Sequence, residues 1–194
     1  MYMRDIQDLV FFDIDTQFDF MEPTGKLYVK NSELIRPNLS DLTQHAYLNN
    51  IKVIGSIFLY NFWNCCRQGQ QKINETYYPR STTIPVYPMG VTDMAREIIF
   101  SDAVYFEKHN FNMFSNINTG FILSNLNKVV VYGLPTEYSI RSTVLKLRKR
   151  DINVYVVEDA IIGTNVKSSM SALEDMINAG ANIVQTKDVL KKNF

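Results

Sequence analysis

The chain has 194 residues, a length that suits one domain with one sizeable hydrophobic core. Hydrophobic residues make up 46% and charged residues 21%, proportions that indicate a globular protein rather than a disordered one. The 20 basic and 20 acidic side chains balance, which argues against the basic surface typical of nucleic-acid-binding proteins.

The chain also lacks the sequence features of an exported or membrane-spanning protein. No apolar run approaches the roughly 18 to 20 residues of a membrane span, and residues 1–8 carry charges instead of the apolar stretch of a signal peptide. Cys65 and Cys66 are adjacent, and two cysteines are too few for a disulfide framework. We therefore expect a cytoplasmic protein that binds neither membrane nor nucleic acid.

Short apolar runs rich in β-branched residues alternate with longer stretches of helical periodicity. This alternation predicts an α/β fold built from βαβ units, with a mostly parallel sheet covered on both faces. Right-handed crossovers then give a three-layer α/β/α sandwich with six strands, and we expect residues 1–194 to form a single domain. In chain order, the predicted strands are residues 9–14, 52–57, 103–106, 128–132, 152–157 and 183–184; the predicted helices are residues 37–49, 93–100 (capped by Asp93), 118–126, 136–150 and 167–179; and residues 60–92 are predicted to be irregular.

Polar side chains follow three of the predicted strands, at the sheet edge where parallel α/β folds bind ligands. Asp13, Asp15 and Asp19 lie at the end of the first strand, where carboxylates serve either catalysis or turns. Lys108 follows the third predicted strand and is either a charge partner for Asp15 or a surface lysine. Ser139 opens the helix after the fourth strand, where free N–H groups favour an anionic nucleophile or an oxyanion, although a helix cap fits the same position.

Together these segments resemble those of the isochorismatase-like cysteine hydrolases, in the branch of nicotinamidase-related amidases. Residues 15–20 (DTQFDF) are similar to the family's Asp-x-Gln-x-Asp-Phe signature, and residues 107–111 (EKHNF) are similar to its lysine segment. Residues 133–139 (GLPTEYS) resemble the family's nucleophile turn, and residues 156–160 (VVEDA) resemble the Val-x-Asp-Ala that follows it. The order and spacing of the four segments agree over nearly the whole chain.

The resemblance implies a hydrolase that acts on a small amide or a related C–N bond. The family's catalytic trio of Asp, Lys and Cys corresponds to Asp15, Lys108 and Ser139. In the family, the Asp takes the thiol proton, the Lys keeps the pair charged, and the thiolate attacks the carbonyl to form an acyl-enzyme. The resemblance also implies a cis peptide bond at the position of Leu134 and Pro135.

Ser139 departs from the family's cysteine. A hydroxyl ionises far less readily than a thiol, whose free pKa is about 8.5. Three explanations are open: an engineered replacement of cysteine, a catalytically inactive protein that binds a small ligand, or chemistry that needs no thiol. True isochorismatases resemble the last case, because they cleave a vinyl ether with Asp and Lys alone.

The metal ligands of nicotinamidases are also replaced. Their Asp-x-His pair and further histidine correspond here to Phe58, Tyr60 and Asn64, which do not make a set of ligands for zinc or iron. We therefore expect no metal and no cofactor, and nicotinamide is a poor candidate substrate.

Aromatic side chains take the place of those ligands. They either wall a pocket for a flat or apolar ligand or pack in the core or a subunit interface. The resemblance further implies a homodimer or homotetramer that acts on a small-molecule substrate. The predicted substrate pocket and oxyanion site comprise Leu134, Pro135, Tyr138, Gln17, Phe20, Phe58, Tyr60 and Trp63.

Overall fold

The computed structural model describes residues 9–60, 67–123 and 126–191. Within these ranges the apolar runs form a seven-stranded sheet in the order β3-β4-β2-β1-β5-β6-β7, and every neighbouring pair is parallel. The strands are β1 (Leu9–Ile14), β2 (Val53–Phe58), β3 (Ser81–Ile84), β4 (Ala103–Lys108), β5 (Lys128–Gly133), β6 (Asn153–Ile161) and β7 (Asn182–Val184).

Helices cover both faces of this sheet. None of the helices in the three described ranges is long and apolar enough to cross a membrane. The α-helices are α1 (Phe18–Met21), α2 (Arg36–Leu48), α3 (Arg67–Gln70), α4 (Val91–Phe100), α5 (Gly120–Leu123), α6 (Arg141–Arg148), α7 (Val166–Asn178) and α8 (Thr186–Leu190). Short 3₁₀ helices span Ser32–Ile35, Asn74–Thr76, Met113–Ser115 and Ile117–Thr119, and a π-helix spans Thr136–Ile140.

Two hydrophobic cores lie on opposite faces of the sheet. In β1, Val10, Phe12 and Ile14 point into the first core, which receives apolar side chains from α4, α5, α6 and α7. Phe11 points into the second core, which is covered by α1, α2 and α8. Because both faces of the strand are buried, its sequence is apolar except for Asp13, and the predicted three-layer α/β/α sandwich is confirmed.

The predicted strand count of six was wrong by one. The additional strand is β3, which pairs with β4 at the edge of the sheet inside a segment predicted to be irregular. Its sequence is STTI, and only Ile84 is buried. An edge strand with a mostly polar sequence gives no periodic apolar signal, and this explains why the prediction missed it.

Several helix boundaries also differ from the prediction. Asp93 is not the N-cap of α4, because the helix begins two residues earlier with Gly90 at the cap, and Asp93 instead pairs with Arg96. The predicted helix over residues 136–150 is divided into the π-helix and α6. The short helix α8 was not predicted; Asp188 caps it reciprocally with Gln185.

The strand order places a ligand crevice beside β1. From β1 the chain builds one half of the sheet through β2 and β4, and then returns to the other side of β1 as β5. The direction of strand addition therefore reverses between β1 and β5, and α/β sheets bind ligands outside the carboxyl ends of the strands at such a point. Residues that follow β1 and β5 meet at this crevice.

Candidate functional site

Asp15 lies directly after β1 in a left-handed backbone conformation, with φ of 53°. Aspartate is one of the few residues that adopt this conformation without a large steric cost. Asp13, in β1, lies on the face of Phe11 and contacts Lys72, whereas Asp15 contacts Lys108. The left-handed turn thus directs two carboxylates that are two residues apart to different lysines.

Asp15, Lys108 and Ser139 form a closed triangle of hydrogen bonds. The Lys108 ammonium (Nζ) donates to Asp15 Oδ2 at 2.6 Å and to Ser139 Oγ at 2.9 Å. Ser139 Oγ donates to the same Oδ2 at 2.6 Å. The other carboxylate oxygen, Oδ1, accepts a hydrogen bond of 2.6 Å from Ser56 Oγ in β2. Both oxygens of Asp15 are therefore occupied, one by the triangle and one by a supporting hydroxyl.

All three members of the triangle have no solvent exposure. Burial lowers the pKa of the Lys108 ammonium, and the adjacent Asp15 carboxylate opposes that shift. The lysine in turn compensates the buried carboxylate, because an ion pair with hydrogen bonds is the usual condition for keeping charge in a protein interior. The cluster therefore places a carboxylate, an ammonium and a hydroxyl in direct contact away from water.

Ser139 is held in the π-helix that follows β5. Such single-turn π-helices are rare and are frequent at functional sites. Two main-chain hydrogen bonds hold the turn that precedes Ser139. Leu134 N donates to Ile14 O at the end of β1, and Thr136 N donates to Ile162 O just after β6, both at 3.0 Å. The peptide bond between Leu134 and Pro135 is cis.

The predicted oxyanion residues of this turn are largely engaged in internal contacts. Tyr138 N and Ile140 N both donate to Pro135 O, at 3.3 and 3.2 Å. Leu134 is fully buried in the second core. Tyr138 presents its ring at the surface with 45% exposure, so among these residues its side chain is the one open to a ligand.

Gln17 is buried and positions the end of β2. Its amide nitrogen donates to Phe58 O at 3.1 Å, and its amide oxygen accepts from Phe58 N at 2.7 Å. The Gln17 side-chain amide thus forms both of these hydrogen bonds with the main chain of Phe58. Gln17 therefore links the residues after β1 to the end of β2.

A row of aromatic rings leads from the triangle to the surface. The Lys108 ammonium lies 5.7 Å from the centroid of the Phe58 ring. Phe58 stacks on Phe111 with centroids 5.3 Å apart, and Phe111 stacks on Tyr138 at 4.7 Å. Phe111 and Tyr138 are 38% and 45% exposed, so the outer end of the row is accessible.

The remaining predicted pocket residues flank this row or lie outside the described part of the chain. Phe20 meets the edge of Phe58 with centroids 5.9 Å apart and belongs to the second core. Tyr60 stacks on Phe58 at 6.4 Å and donates its hydroxyl to Asp19. Trp63, like Asn64, Cys65 and Cys66, lies outside the described residues.

Sequence reasoning missed Ser56 and Phe111 as site residues. Ser56 is the one hydroxyl in the apolar run of β2 (VIGSIF), and a buried polar side chain near the carboxyl end of a strand was the available signal. Phe111 was seen within the lysine segment, but no local pattern indicates that its ring stacks between two others. Both assignments needed the order of the strands.

The two described positions that match nicotinamidase metal ligands carry aromatic rings with other roles. Phe58 is stacked between neighbouring rings, and Tyr60 donates to Asp19. Within residues 9–60, 67–123 and 126–191, no three His, Cys, Asp or Glu side chains are grouped so that they could hold a metal ion. The described residues therefore do not fit the metal centre of nicotinamidases.

Solved structures with this architecture come from several organisms, and identities of 15–21% show likeness of fold alone. A pyrazinamidase of Pyrococcus horikoshii in complex with zinc is 21% identical, with a TM-score of 0.74 over 92% of this chain and 99% of that one. A cysteine hydrolase of Pseudomonas syringae is 17% identical, with a TM-score of 0.73 over 99% and 94%. An isochorismatase-like hydrolase of Alkaliphilus metalliredigens is 15% identical, with a TM-score of 0.72 over 97% and 100%.

The family assignment rests on the sequence as well as the fold. No curated protein sequence matches the chain. The model of the isochorismatase domain, however, matches residues 10–188 and so covers the described strands and helices except Leu9, the first residue of β1, and the last two residues of α8. The chain therefore belongs to the isochorismatase family.

Proposed function

We propose that this protein hydrolyses a small amide or a related C–N bond, with Asp15 as general base, Lys108 as electrostatic partner and Ser139 as nucleophile. The observation that carries the proposal is the closed triangle of hydrogen bonds among these three buried side chains. The family is one of hydrolases, and solved neighbours named as a pyrazinamidase and a cysteine hydrolase support the same reaction class.

In the proposed reaction, Ser139 Oγ attacks the carbonyl carbon while its proton passes to Asp15 Oδ2, with which it already shares a 2.6 Å hydrogen bond. The Lys108 ammonium, 2.9 Å from the same Oγ, stabilises the negative charge that develops there. Asp15 then gives the proton to the leaving nitrogen, the C–N bond breaks, and an acyl-enzyme remains. Water, deprotonated by Asp15, attacks the ester; the C–Oγ bond breaks, Asp15 returns the proton to Ser139 Oγ, and the acid is released.

The row formed by Phe58, Phe111 and Tyr138 supports a flat or apolar substrate. Exposed aromatic faces next to buried polar groups are typical of small-molecule sites, because the rings bury the ligand and the polar groups orient it. We propose that the substrate lies against Phe111 and Tyr138 with its carbonyl directed to Ser139. The oxyanion role of the turn that contains Leu134, Pro135 and Tyr138 is part of this proposal, and it requires Tyr138 N to exchange its 3.3 Å bond to Pro135 O for a bond to the substrate oxygen.

The test is a panel of small aromatic and aliphatic carboxamides, assayed by release of ammonia or amine. We expect Asp15→Asn and Ser139→Ala to lower kcat/KM by about 100-fold or more, the range lost with a general base or a nucleophile. Ser139→Cys should raise it by at least about 10-fold, because a thiolate forms more readily than an alkoxide. The control is Asp93→Asn, an exposed carboxylate of α4. Full activity in Asp15→Asn would rule out the mechanism.

A second candidate function is favoured by the identity of residue 139. A hydroxyl in place of a thiol weakens covalent catalysis but leaves the aromatic row and the buried charges able to bind a ligand. In that case thermal-shift screening finds ligands that are recovered chemically unchanged, and Ser139→Cys does not create turnover. Hydrolysis of a bound ligand would contradict this candidate.

Cleavage of isochorismate by Ser139→Ala would instead identify thiol-free ether hydrolysis.

A further inference from the structure

We propose that Asp13 and Lys72 are positioning residues that hold the backbone of Asp15 in its left-handed conformation and so aim its carboxylate at Lys108 and Ser139. This inference rests on the proposed function of Asp15. Asp13 is fully buried, and the Lys72 side chain is only 5% exposed. The pair therefore forms a second buried ion pair, next to the first in sequence but directed away from it.

Lys72 contacts the residues on both sides of Asp15. Its ammonium lies 3.0 Å from Asp13 Oδ2 and donates to Asp13 O at 3.3 Å and to Thr16 Oγ1 at 3.1 Å. Thr16 Oγ1 in turn donates to Asp13 Oδ1 at 2.6 Å. One ammonium thus ties together a side chain and a carbonyl before Asp15 and a hydroxyl after it.

Main-chain hydrogen bonds around Lys72 also hold the residues that follow Asp15. Gln17 and Lys72 form an isolated antiparallel bridge, in which Ile73 N donates to Thr16 O at 3.1 Å and Phe18 N donates to Gln71 O at 2.9 Å. Residues 13 and 16–18 are therefore held in place by the segment around Lys72. Asp15 lies between these two fixed parts of the chain, and its positive φ joins them. A non-glycine residue keeps a positive φ when its surroundings determine it in this way.

The second ion pair has the same groups as the first, but Asp13 is fully buried and only 5% of the Lys72 side chain is exposed, where it lines a surface cavity beside Tyr105. Lys72 lies 4.5 Å from the centroid of the Tyr105 ring, and Thr16 Oγ1 also contacts Thr76 Oγ1 at 2.8 Å. Asp13 Oδ1 and Thr16 Oγ1 are thus hydrogen-bonded to other side chains, and Asp13 Oδ2 is in ionic contact with the Lys72 ammonium. A supporting role fits this arrangement better than a second catalytic role.

Electrostatics also argue against a purely stabilising role. Burial raises the pKa of the Asp13 carboxyl and lowers the pKa of the Lys72 ammonium, and each charge offsets the shift of the other. Replacement of such a buried pair by apolar residues is often neutral for stability, so its presence is weak evidence that it stabilises the fold. The pair instead fixes the backbone conformation around Asp15, because the Lys72 ammonium contacts Asp13 Oδ2, Asp13 O and Thr16 Oγ1.

The experiment uses the full chain with Ser139→Cys, whose thiol reports on the nearby carboxylate without any substrate. Its ionisation is followed by the ultraviolet absorbance of the thiolate, as the difference from the Ser139 parent at each pH. A neighbouring carboxylate disfavours the thiolate, so Asp15→Asn should lower the midpoint, by about one pH unit. The shift measured with this variant gives the direction and size of the change in midpoint that is expected when the carboxylate is removed from the triangle.

Two variants then test the positioning role in the same background. Asp13→Asn combined with Lys72→Met removes both charges and leaves no uncompensated one, and Thr16→Val removes only the hydroxyl. We expect both to shift the midpoint in the direction of Asp15→Asn, by at least half as much. The matched controls, Thr119→Val at another buried hydroxyl and Met176→Ala in the first core, should lower stability without moving the midpoint.

Each outcome has a distinct meaning. If Asp15→Asn moves the midpoint and neither positioning variant does, while all remain folded by circular dichroism, the inference on Asp13 and Lys72 is overturned and the proposed function stands. If Asp15→Asn itself has no effect, the proposed contact between Asp15 and residue 139 fails, and the inference fails with it. With an active substrate, the double variant should lower kcat by about 100-fold with little change in KM, because the base is misplaced and the pocket is intact.

Discussion

Ser56 shows how a single residue outside the triangle supports it. Its hydroxyl donates to Asp15 Oδ1, the oxygen that the triangle leaves free. A buried carboxylate keeps its orientation when both oxygens are bonded, and a hydrogen bond to a charged group contributes about 1.5–3 kcal/mol. Ser56 is therefore a second support for Asp15, on the opposite side from Lys108.

We expect Ser56→Ala to lower kcat/KM by about 10- to 100-fold and the free energy of unfolding by about 1–3 kcal/mol, because it leaves a buried oxygen of Asp15 without a donor. Steady-state kinetics and urea unfolding measure the two effects. The control is Ser32→Ala, another buried serine, whose hydroxyl donates to the main-chain carbonyls of Phe20 and Met21. It should change stability but not activity, and equal activity in both variants would contradict the supporting role of Ser56.

At the scale of elements, the site depends on the close approach of β1 and β5. Gly133 ends β5 with φ of +115°, and it lies beside Ile14 at the end of β1. A Cβ added there would lie 2.0 Å from Ile14 O. Ile14 and Gly133 directly precede the two turns that carry Asp15 and Ser139, so this contact sets the distance between the base and the nucleophile.

We expect Gly133→Ala to lower the free energy of unfolding by about 3 kcal/mol or more, because alanine meets both a forbidden torsion and a main-chain clash. Gly120→Ala is the matched control, since Gly120 has helical torsions and an added Cβ meets no atom within 4 Å. That substitution should be neutral or stabilising by up to about 1 kcal/mol. Denaturant unfolding compares the two, and similar stabilities would contradict the close approach.

At the scale of the whole molecule, the two buried lysines tie stability to pH. Burial lowers the pKa of Lys72 and of Lys108, so the folded state binds fewer protons than the unfolded chain between each lowered value and about 10.4. The free energy of unfolding therefore rises with pH through that window. The raised pKa of Asp13 has the opposite consequence in acid, where stability falls as pH rises from about 4 through the raised value.

Asp13→Asn combined with Lys72→Met should reduce the alkaline rise in stability, because Lys72 is one of three lysines in the described part of the chain, with Lys108 and Lys52, whose pKa is lowered by burial. Urea unfolding followed by circular dichroism between about pH 7 and pH 10 measures the slope. Met176→Ala, in the first core, is the control: it should lower stability at every pH without changing the slope. An unchanged slope in the double variant would show that Lys72 titrates alike in both states.

Assembly into a homodimer or homotetramer stays a prediction at this scale. Large apolar side chains are exposed on the described surface, among them Val166 at 76% and Phe100 at 73%. Exposed apolar residues of this kind are compatible with subunit contacts but do not select one. Sedimentation should give two or four times the chain mass of 22.4 kDa. A single species at 22.4 kDa would contradict the prediction.

The sequence by itself determined the architecture and the segments of the site. Strands buried on both faces are continuous apolar runs, and their alternation with helical periods predicted the parallel sheet. The segments around Asp15, Lys108 and Ser139 were found because polar residues at strand ends stand out against apolar strands. Burial is a local property of each segment, and this is why a single sequence reports it.

Only the tertiary structure decided which side chains meet. The contacts of Ser56 with Asp15 and of Lys72 with Asp13 join residues that are 41 and 59 positions apart. They depend on the strand order and on one left-handed torsion at Asp15, and neither is encoded in a periodic pattern. Edge strand β3 was missed for the related reason that its partner, and not its own sequence, makes it a strand.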